Sequence, residues 1–314
     1  MNTKQLIYFV KSAELGSIAA AARELEISQP SISQQISVLE HELKATLFSR
    51  DVRGVYLTES GEIFLAHARS VIRQLEQAQA ELHQSISSPS GKVSIGFTQP
   101  ICNILAVPLM TCLEREFPNI ELSIYTGYSS DLIKMMKCGD IDLAVSSYDE
   151  SDCKNINYEL FFREKIYLLI GKHRFFEFDD LFVRKGAIRF SDLRHYEVMV
   201  TNRTDSLGYL IGQYEKETGF YLNKRQPHGQ LMTTLRHVTE GHGMLITPSS
   251  SFFHLEKNDE VNAIDIVEPR LYRDVFLVSC RDKPVTNAMS KVIEKIRTIT
   301  RQENENGHWR GSVV

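Results

Sequence analysis

Between Thr58 and Ser87, Leu65, Ala68, Ile72, Leu75, Gln79, Leu82 and Ile86 recur at alternating three- and four-residue spacing. That is the period of a helix with one apolar seam. At 1.5 Å per residue the helix would run roughly 45 Å. Near Phe64 and Leu65 the seam is expected to pack on the residues that precede it. Beyond Ile72, a head of about 60 residues is too small to cover it, and a second copy of the helix is the expected partner. Ala68, Ile72, Leu75 and Leu82 are therefore the candidate dimerisation residues.

The head itself reads as three short helices. Leu6, Phe9, Val10 and Ala13 form a buried stripe behind a possible cap at Thr3, and Gly16 ends that helix. Ser17 caps the second helix, which turns Ile18, Ala21, Ala22 and Leu25 inward. Ser28 caps the third, with Pro30 tolerated in its first turn. Two helices joined by a tight turn within about 25 residues make a helix-turn-helix.

The third helix, "ISQPSISQQISVLEHEL", buries Ile32, Ile36, Leu39 and Leu43, yet its first two turns carry hydroxyls and carboxamides instead of Lys and Glu. Such groups bond phosphate oxygens without excluding base edges, and Gln can read adenine with two hydrogen bonds. Ser28, Gln29, Pro30, Ser31, Ser33, Gln34 and Gln35 are the candidate DNA contacts; a capped surface helix is the plainer alternative. Next, Arg50 to Gly54 form the tip of a small hairpin, a wing, with Val55 to Leu57 returning. Arg50 and Arg53 are candidate contacts to a DNA backbone there, with solvated hairpin charges as the plainer alternative, and Thr58, capping the long helix, is a further phosphate candidate.

After "SSPSG" at 87–91 the texture changes. Strands are expected at "KVSIGF", "IELSIY", "IDLAVSS", "IYLLI", "EVMVT", "GMLIT" and "VFLVSC". Helices are expected from Pro100 to Phe117, Ser129 to Cys138 and Val285 to Thr300. The alternation predicts parallel sheets with covered faces, an α/β half of two lobes. The expected divisions are 1–58 for the winged helix-turn-helix, 59–91 for the linker helix, 92–300 for the α/β half and 301–314 for a tail. Lobe one would take about 92–165 and 268–300, and lobe two about 166–267.

Bulk properties narrow the function. Lys and Arg number 36 against 40 Asp and Glu, a net charge of −4. The first 65 residues hold six basic against eight acidic side chains. A nucleoid-structuring protein without sequence preference would need excess positive charge. No apolar run reaches membrane-spanning length and no signal-peptide pattern opens the chain, so a cytoplasmic, nucleoid-associated protein with no membrane partner is expected. GxSxG, GxGxxG and GxxxxGK[ST] are absent, which argues against an enzyme. Cys102, Cys112, Cys138, Cys153 and Cys280 form no CxxC pair, so reduced thiols are expected. Cys102, in a helix's first turn, keeps a redox-sensing reading open. His237 and His242 are poorly spaced for zinc, and no metal or other cofactor is expected.

Taken in order, "LIYFV", "GSIAAAARELEISQPSISQQISVLEHEL", "LFSR" and "LTESGEIFLAHA", followed by "VSIGF", "FPNIELSIYTG", "GDIDLAV" and "VTEGHGMLITP", resemble the LysR-type transcriptional regulators. "YFVK", "SQQI", "RGV" and "HARSVIRQLEQAQ" resemble its nitrogen assimilation control subgroup. The resemblance implies a winged helix-turn-helix, a dimerising linker helix and a two-lobed effector domain like a type 2 periplasmic binding protein. It also implies homodimers or homotetramers on inverted-repeat double-stranded promoter DNA, with a small-molecule effector and RNA polymerase as further partners. Gln34 departs from the pattern, since many relatives carry a basic residue there. The resemblance places the effector between the lobes, at Thr98, Gln99, Pro100, Ser129, Ser130, Thr201, Asn202 and Arg203, with His242 on the far wall. Helix N-termini facing a cleft favour an anion, and Arg203 could pair a carboxylate. A ligand-independent regulator of the nitrogen-control type is the alternative.

Overall fold

The computed structural model describes residues 1–51, 54–84, 89–147, 155–173, 186–201, 206–227, 229–281 and 283–314, without the side chains of 50–51 and 76–84. Its head consists of α1 (Thr3–Glu14), α2 (Ile18–Glu24) and α3 (Gln29–Leu43), then a wing of β1 (Phe48–Asp51) and β2 (Gly54–Leu57). Asn2, not Thr3, caps α1. Its side chain accepts from the Gln5 N–H at 3.0 Å while the Gln5 side chain accepts from the Asn2 N–H at 2.9 Å, a reciprocal box that Thr3 would need a partner at residue 6 to match. Ser17 caps α2 through the Ala20 N–H, and Ser28 caps α3 through the Ser31 N–H. Ile32, Ile36 and Leu39 are fully buried against Leu6, Phe9, Ile18 and Ala21.

Two close approaches place the wing. The Val55 N–H donates to the Gly16 carbonyl at 3.0 Å, and a Cβ on Gly54 (φ +141°) would lie 2.3 Å from that oxygen. Only glycine fits there. Glu40 on α3 accepts from the Leu47 and Phe48 N–H groups at 2.7 and 3.1 Å, fastening α3 to the wing's first strand.

The long helix α4 (Glu59–Gln84) follows, capped by Thr58 through the Gly61 N–H. Of the expected dimerisation residues, Ala68 and part of Ile72 turn to the head instead, while Leu75 faces outward. Ala68 is 1% exposed and belongs to the head's own core, with Ile72 packed partly against it. The Phe9 ring lies 5.2 Å from that of Phe64, on the same helix. The outward apolar residues are Ile63, Val71 and Leu75, at 61%, 40% and 42% exposure. Leu82 lies outside the described side chains.

The α/β half begins with β3 (Gly91–Phe97), α5 (Gln99–Glu116), β4 (Ile120–Thr126), α6 (Ser129–Cys138) and β5 (Leu143–Ser147), giving parallel neighbours in the order β4-β3-β5. The 16-residue β6 (Ile156–Gly171) comes next. Then follow β7 (Ala187–Arg189), β8 (Glu197–Met199), α7 (Ser206–Thr218), β9 (Asn223–Arg225), α8 (Leu231–Thr239) and β10 (Met244–Pro248). A short 3-10 turn (Ser249–Ser251) leads to α9 (Phe253–Lys257), β11 (Val261–Val267), β12 (Tyr272–Cys280), α10 (Asn287–Glu305) and β13 (Gly311–Val313).

The sheet is mixed where parallel strands were expected. β12 runs antiparallel to β5 and β6, and β6 runs antiparallel to β10 and β11. β6 joins the lobes: its residues 156–165 pair with β12, and 166–170 with β10. The expected tail is also folded. α10 continues to Glu305, Trp309 is fully buried in the lobe-one core, and β13 pairs with residues 162–164 of β6.

At the crossing, Glu164 is wholly buried. One carboxylate oxygen accepts from the Ser250 N–H at 2.7 Å and the Ser249 hydroxyl at 3.1 Å. The other accepts from Arg273 Nε at 2.8 Å and its terminal nitrogen at 2.7 Å. Satisfied in this way, a buried ion pair is stable, but removing one partner strands a charge in low dielectric. Arg273→Ala should therefore destabilise the α/β half by ~3–5 kcal/mol. Arg163→Ala, which breaks the solvent-exposed pair with Asp274, should cost ~0–1 kcal/mol. Urea unfolding of the full chain measures both; equal losses would mean the buried pair has no special role.

Candidate nucleic-acid interface and inter-lobe cleft

The outer face of α3 is polar at its start. Ser28, Gln29, Pro30 and Gln34 are exposed, and Ser31, Ser33 and Gln35 are half-buried. Exposure continues at Ser37, Val38 and His41, the same face by helical period. Ser37 and Val38 lie beyond the polar first two turns that marked the candidates, but counting on from Gln34 by helical period reaches both. An exposed valine there suits a thymine methyl. The helix end itself offers little anion binding. Pro30 has no N–H and that of Ser31 is held by Ser28, so Gln29 supplies the outward main-chain donor of this turn.

Thr58 is not a phosphate donor. Its hydroxyl donates to the Thr46 carbonyl at 2.6 Å and accepts from Gly61, while its N–H donates to the Leu47 carbonyl. A phosphate is an acceptor and finds no hydrogen left. Arg50 stands opposite Val55 in the wing ladder. Its side chain and all of Arg53 lie outside the described residues.

The strand registers fix which ends face the lobe crossing. β5 places Ser147 opposite Val275, beside the crossing, and β3 carries Thr98 to the same side next to Val145. In lobe two, Pro248 of β10 pairs with Ile166 and Met244 with Ile170, so the C-terminal end of β10 points toward lobe one. β8 is parallel to β10, which brings Thr201 to that side as well. Carboxyl ends of strands from both lobes thus face one cleft, the usual ligand position in α/β sheets. His242 precedes β10 at the opposite end. It is exposed, its ring lies 5.1 Å from that of His237, and its carbonyl accepts from Arg225. It is therefore no cleft residue. Its flanking glycines shape a turn, and strand direction excludes it.

Four buried hydroxyls on the cleft side, Thr98, Ser129, Ser147 and Thr201, have no hydrogen-bond partner among the described residues. Thr98 and Tyr128 stand at the N-caps of α5 and α6 without capping through a side chain, leaving both helix starts open to a polar ligand. Gln99, Pro100 and Ser130 lie in those first turns. A cavity of about 430 Å³ meets this group only at Ser147; its other walls include Arg163, Ser206, Tyr209, Tyr272 and Asp274, and Thr98, Gln99, Pro100, Ser129, Ser130 and Thr201 do not line it. Ser147 and the tyrosines were missed; the paired serines that end "IDLAVSS" were the available signal for the former. Asn202 and Arg203 lie outside the described residues.

Burial pushes the Cys102 thiol above its ordinary value, the opposite of the lowering that a helix's first turn was expected to give. Among the described residues, no group of three or more His, Cys, Asp and Glu side chains is placed to hold a metal, and no helix is long and apolar enough to cross a membrane.

Comparison with known proteins agrees with this geometry. Over 170 residues the chain is 36% identical to the nitrogen assimilation regulatory protein nac of Escherichia coli (strain K12), covering 54% of this chain and 55% of that one. The match thus spans about half the length of that relative, as it does for its Klebsiella aerogenes counterpart. The transcriptional dual regulator GltC of Bacillus subtilis (strain 168) is 26% identical over 294 residues, 94% of this chain and 96% of that one. Full-length OxyR from Pseudomonas aeruginosa superposes with a TM-score of 0.73 at 20% identity, over 95% of this chain and 94% of that one. Full-length CbnR complexed with its target DNA gives 0.66 at 21%, over 95% and 100%. At those identities the two structures show a shared fold. Residues 3–62 match the bacterial regulatory helix-turn-helix protein of the lysR family, and residues 87–300 match the LysR substrate binding domain. The chain belongs to the LysR family.

Proposed function

We propose that this chain is a sequence-specific DNA-binding regulator of transcription. On this reading it acts as an oligomer on inverted-repeat promoter sites and is modulated by a small anionic metabolite. The observation that carries the DNA reading is the exposed amide-bearing start of α3, held beside a wing by Glu40 and by the Gly16–Gly54 contact. A recognition helix enters the major groove with such an end, and the CbnR complex shows a protein of this fold on DNA. With little positive charge in the head, Gln29, Gln34, Ser31, Ser33 and Gln35 supply discrimination, and Arg50 and Arg53 the backbone contacts. Gln29→Ala and Gln34→Ala should each weaken binding to the specific site by ~1–3 kcal/mol. Titration against the protein's own upstream fragment and against random DNA checks this. Equal losses on both DNAs would reduce these residues to positioning contacts.

For assembly, the outward stripe Ile63, Val71 and Leu75 on α4 supports a helix-to-helix interface, continued by Leu82 on the sequence pattern. Val71→Glu and Leu75→Glu should each place an unpaired charge there. Sedimentation is expected to show a smaller particle, with loss of binding to paired half-sites. A mutant that remains fully assembled would mean that α4 is not the interface.

The unpartnered hydroxyls of Thr98, Ser129, Ser147 and Thr201 support a polar effector in the cleft, with Arg203 as its countercharge. Calorimetry against a panel of small carboxylates should detect binding to wild type, abolition by Arg203→Ala, and a roughly tenfold loss in Thr98→Val. If wild type binds none of them, the ligand-independent reading takes over.

A further inference from the structure

We propose that residues 309–313 form a clasp that fixes the angle between the two lobes. This segment lies beyond residue 300, where the match to the LysR substrate binding domain ends. The inference depends on the two lobes and on neither the DNA nor the effector reading.

Rotation between the lobes has to occur where β6 changes partners, at Lys165 and Ile166, and in the returning chain before β12. The clasp sits on that point. β13 pairs with Phe162, Arg163 and Glu164, the last lobe-one residues but one, and the Lys165 N–H donates to the Arg310 carbonyl at 2.9 Å. The Arg310 N–H donates to the Ser249 hydroxyl, also at 2.9 Å, and Ser249 in turn donates to Glu164.

Neighbouring side chains then grip different lobes. Trp309 is fully buried in the lobe-one core, its ring 4.5 Å from Phe162 and 6.2 Å from Phe161. The Arg310 guanidinium reaches into lobe two, where it pairs with Glu256 of α9 and lies 5.3 Å from the Tyr167 ring and 6.0 Å from that of Phe252. Consecutive Cα atoms are about 3.8 Å apart and cannot stretch. A change in lobe angle therefore strains the hold of Trp309 in its core against that of Arg310 on Glu256 and its rings. Gly311 lets the strand ride this close, because a Cβ there would lie 2.1 Å from the Arg163 carbonyl oxygen. The clasp limits how far any ligand can shift the lobes, since a ligand moves an equilibrium only between arrangements that exist.

The test uses the full chain with spin labels on Lys134 of α6 and Arg236 of α8, which are exposed and lie in different lobes. Keto-bearing residues carry the labels, so the native cysteines stay in place. Dipolar spectroscopy should give one narrow distance in wild type and a broadened or second population in Arg310→Ala and Gly311→Val. Amide exchange at Lys165 should rise about tenfold in both. Should Gly311→Val fail to fold, Glu256→Gln removes the lobe-two grip from the other side and is read by the same distance. Faster exchange with an unchanged distance distribution would show that the segment is local packing only, and would overturn the proposal.

Discussion

The α/β half depends on a single strand that belongs to both lobes, and that strand carries a buried carboxylate at its midpoint. Glu164 lies where β6 leaves the lobe-one ladder, and each of its oxygens is held by donors from a different part of the chain. Arg273 approaches from the start of β12 and Ser249 and Ser250 from the turn after β10, so three segments distant in sequence converge on one side chain. A buried charge of this kind contributes more to uniqueness than to stability, since only one arrangement satisfies all its bonds. Asn103 of α5 adds a second bridge, donating to the Ser250 carbonyl at 3.0 Å and lying 3.2 Å from His254 Nδ1. Burial lowers the His254 pKa and so favours the neutral ring, whose Nδ1 can accept from the Asn103 amide.

The junction between the head and the α/β half is built differently. Arg69 on α4 pairs with Asp140 in the turn after α6 and with Glu14 at the end of α1. One guanidinium thereby touches the head, the linker helix and lobe one. These partners are partly exposed, and ion pairs of that kind are worth ~0–1 kcal/mol each. The contrast with Glu164 is physical: the lobes are joined by a buried, fully hydrogen-bonded carboxylate, whereas the Arg69 pairs are ones that water can replace.

Local chemistry was legible wherever one residue type decides the outcome. Ser17, Ser28 and Thr58 cap their helices as read, because a hydroxyl before an apolar periodic run has few other uses. Asn2 was missed because Thr3 is also a capping type, and the choice turned on the reciprocal Gln5. The seam of α4 failed for a geometric reason. A three-four count lets Ala68 and Leu75 share a stripe, but α1 covers the side of Ala68 while Val71 and Leu75 face outward. Period alone does not say where a neighbouring helix stops. His242 failed on strand direction, which no local pattern encodes. The closing strand is three residues long, below the length at which alternation can be read; its signal was the lone Trp309, a residue too large to leave in a tail.

The charge balance of the head bears on why an oligomer is needed. On the proposed reading, each head brings an acidic surplus to a polyanion, and its helix end contributes one outward main-chain donor. Counterion release, the usual source of affinity, is therefore small per head. Base contacts from amides discriminate well but supply only ~1–3 kcal/mol each. Tethering two heads turns the second encounter into an intramolecular one, which can raise avidity by ~10²–10⁴ without any new contact. A weakly charged, amide-reading head is thus suited to a rigid pair: it gains little on random DNA, where register is arbitrary, and most of its affinity where two half-sites match the spacing that α4 sets.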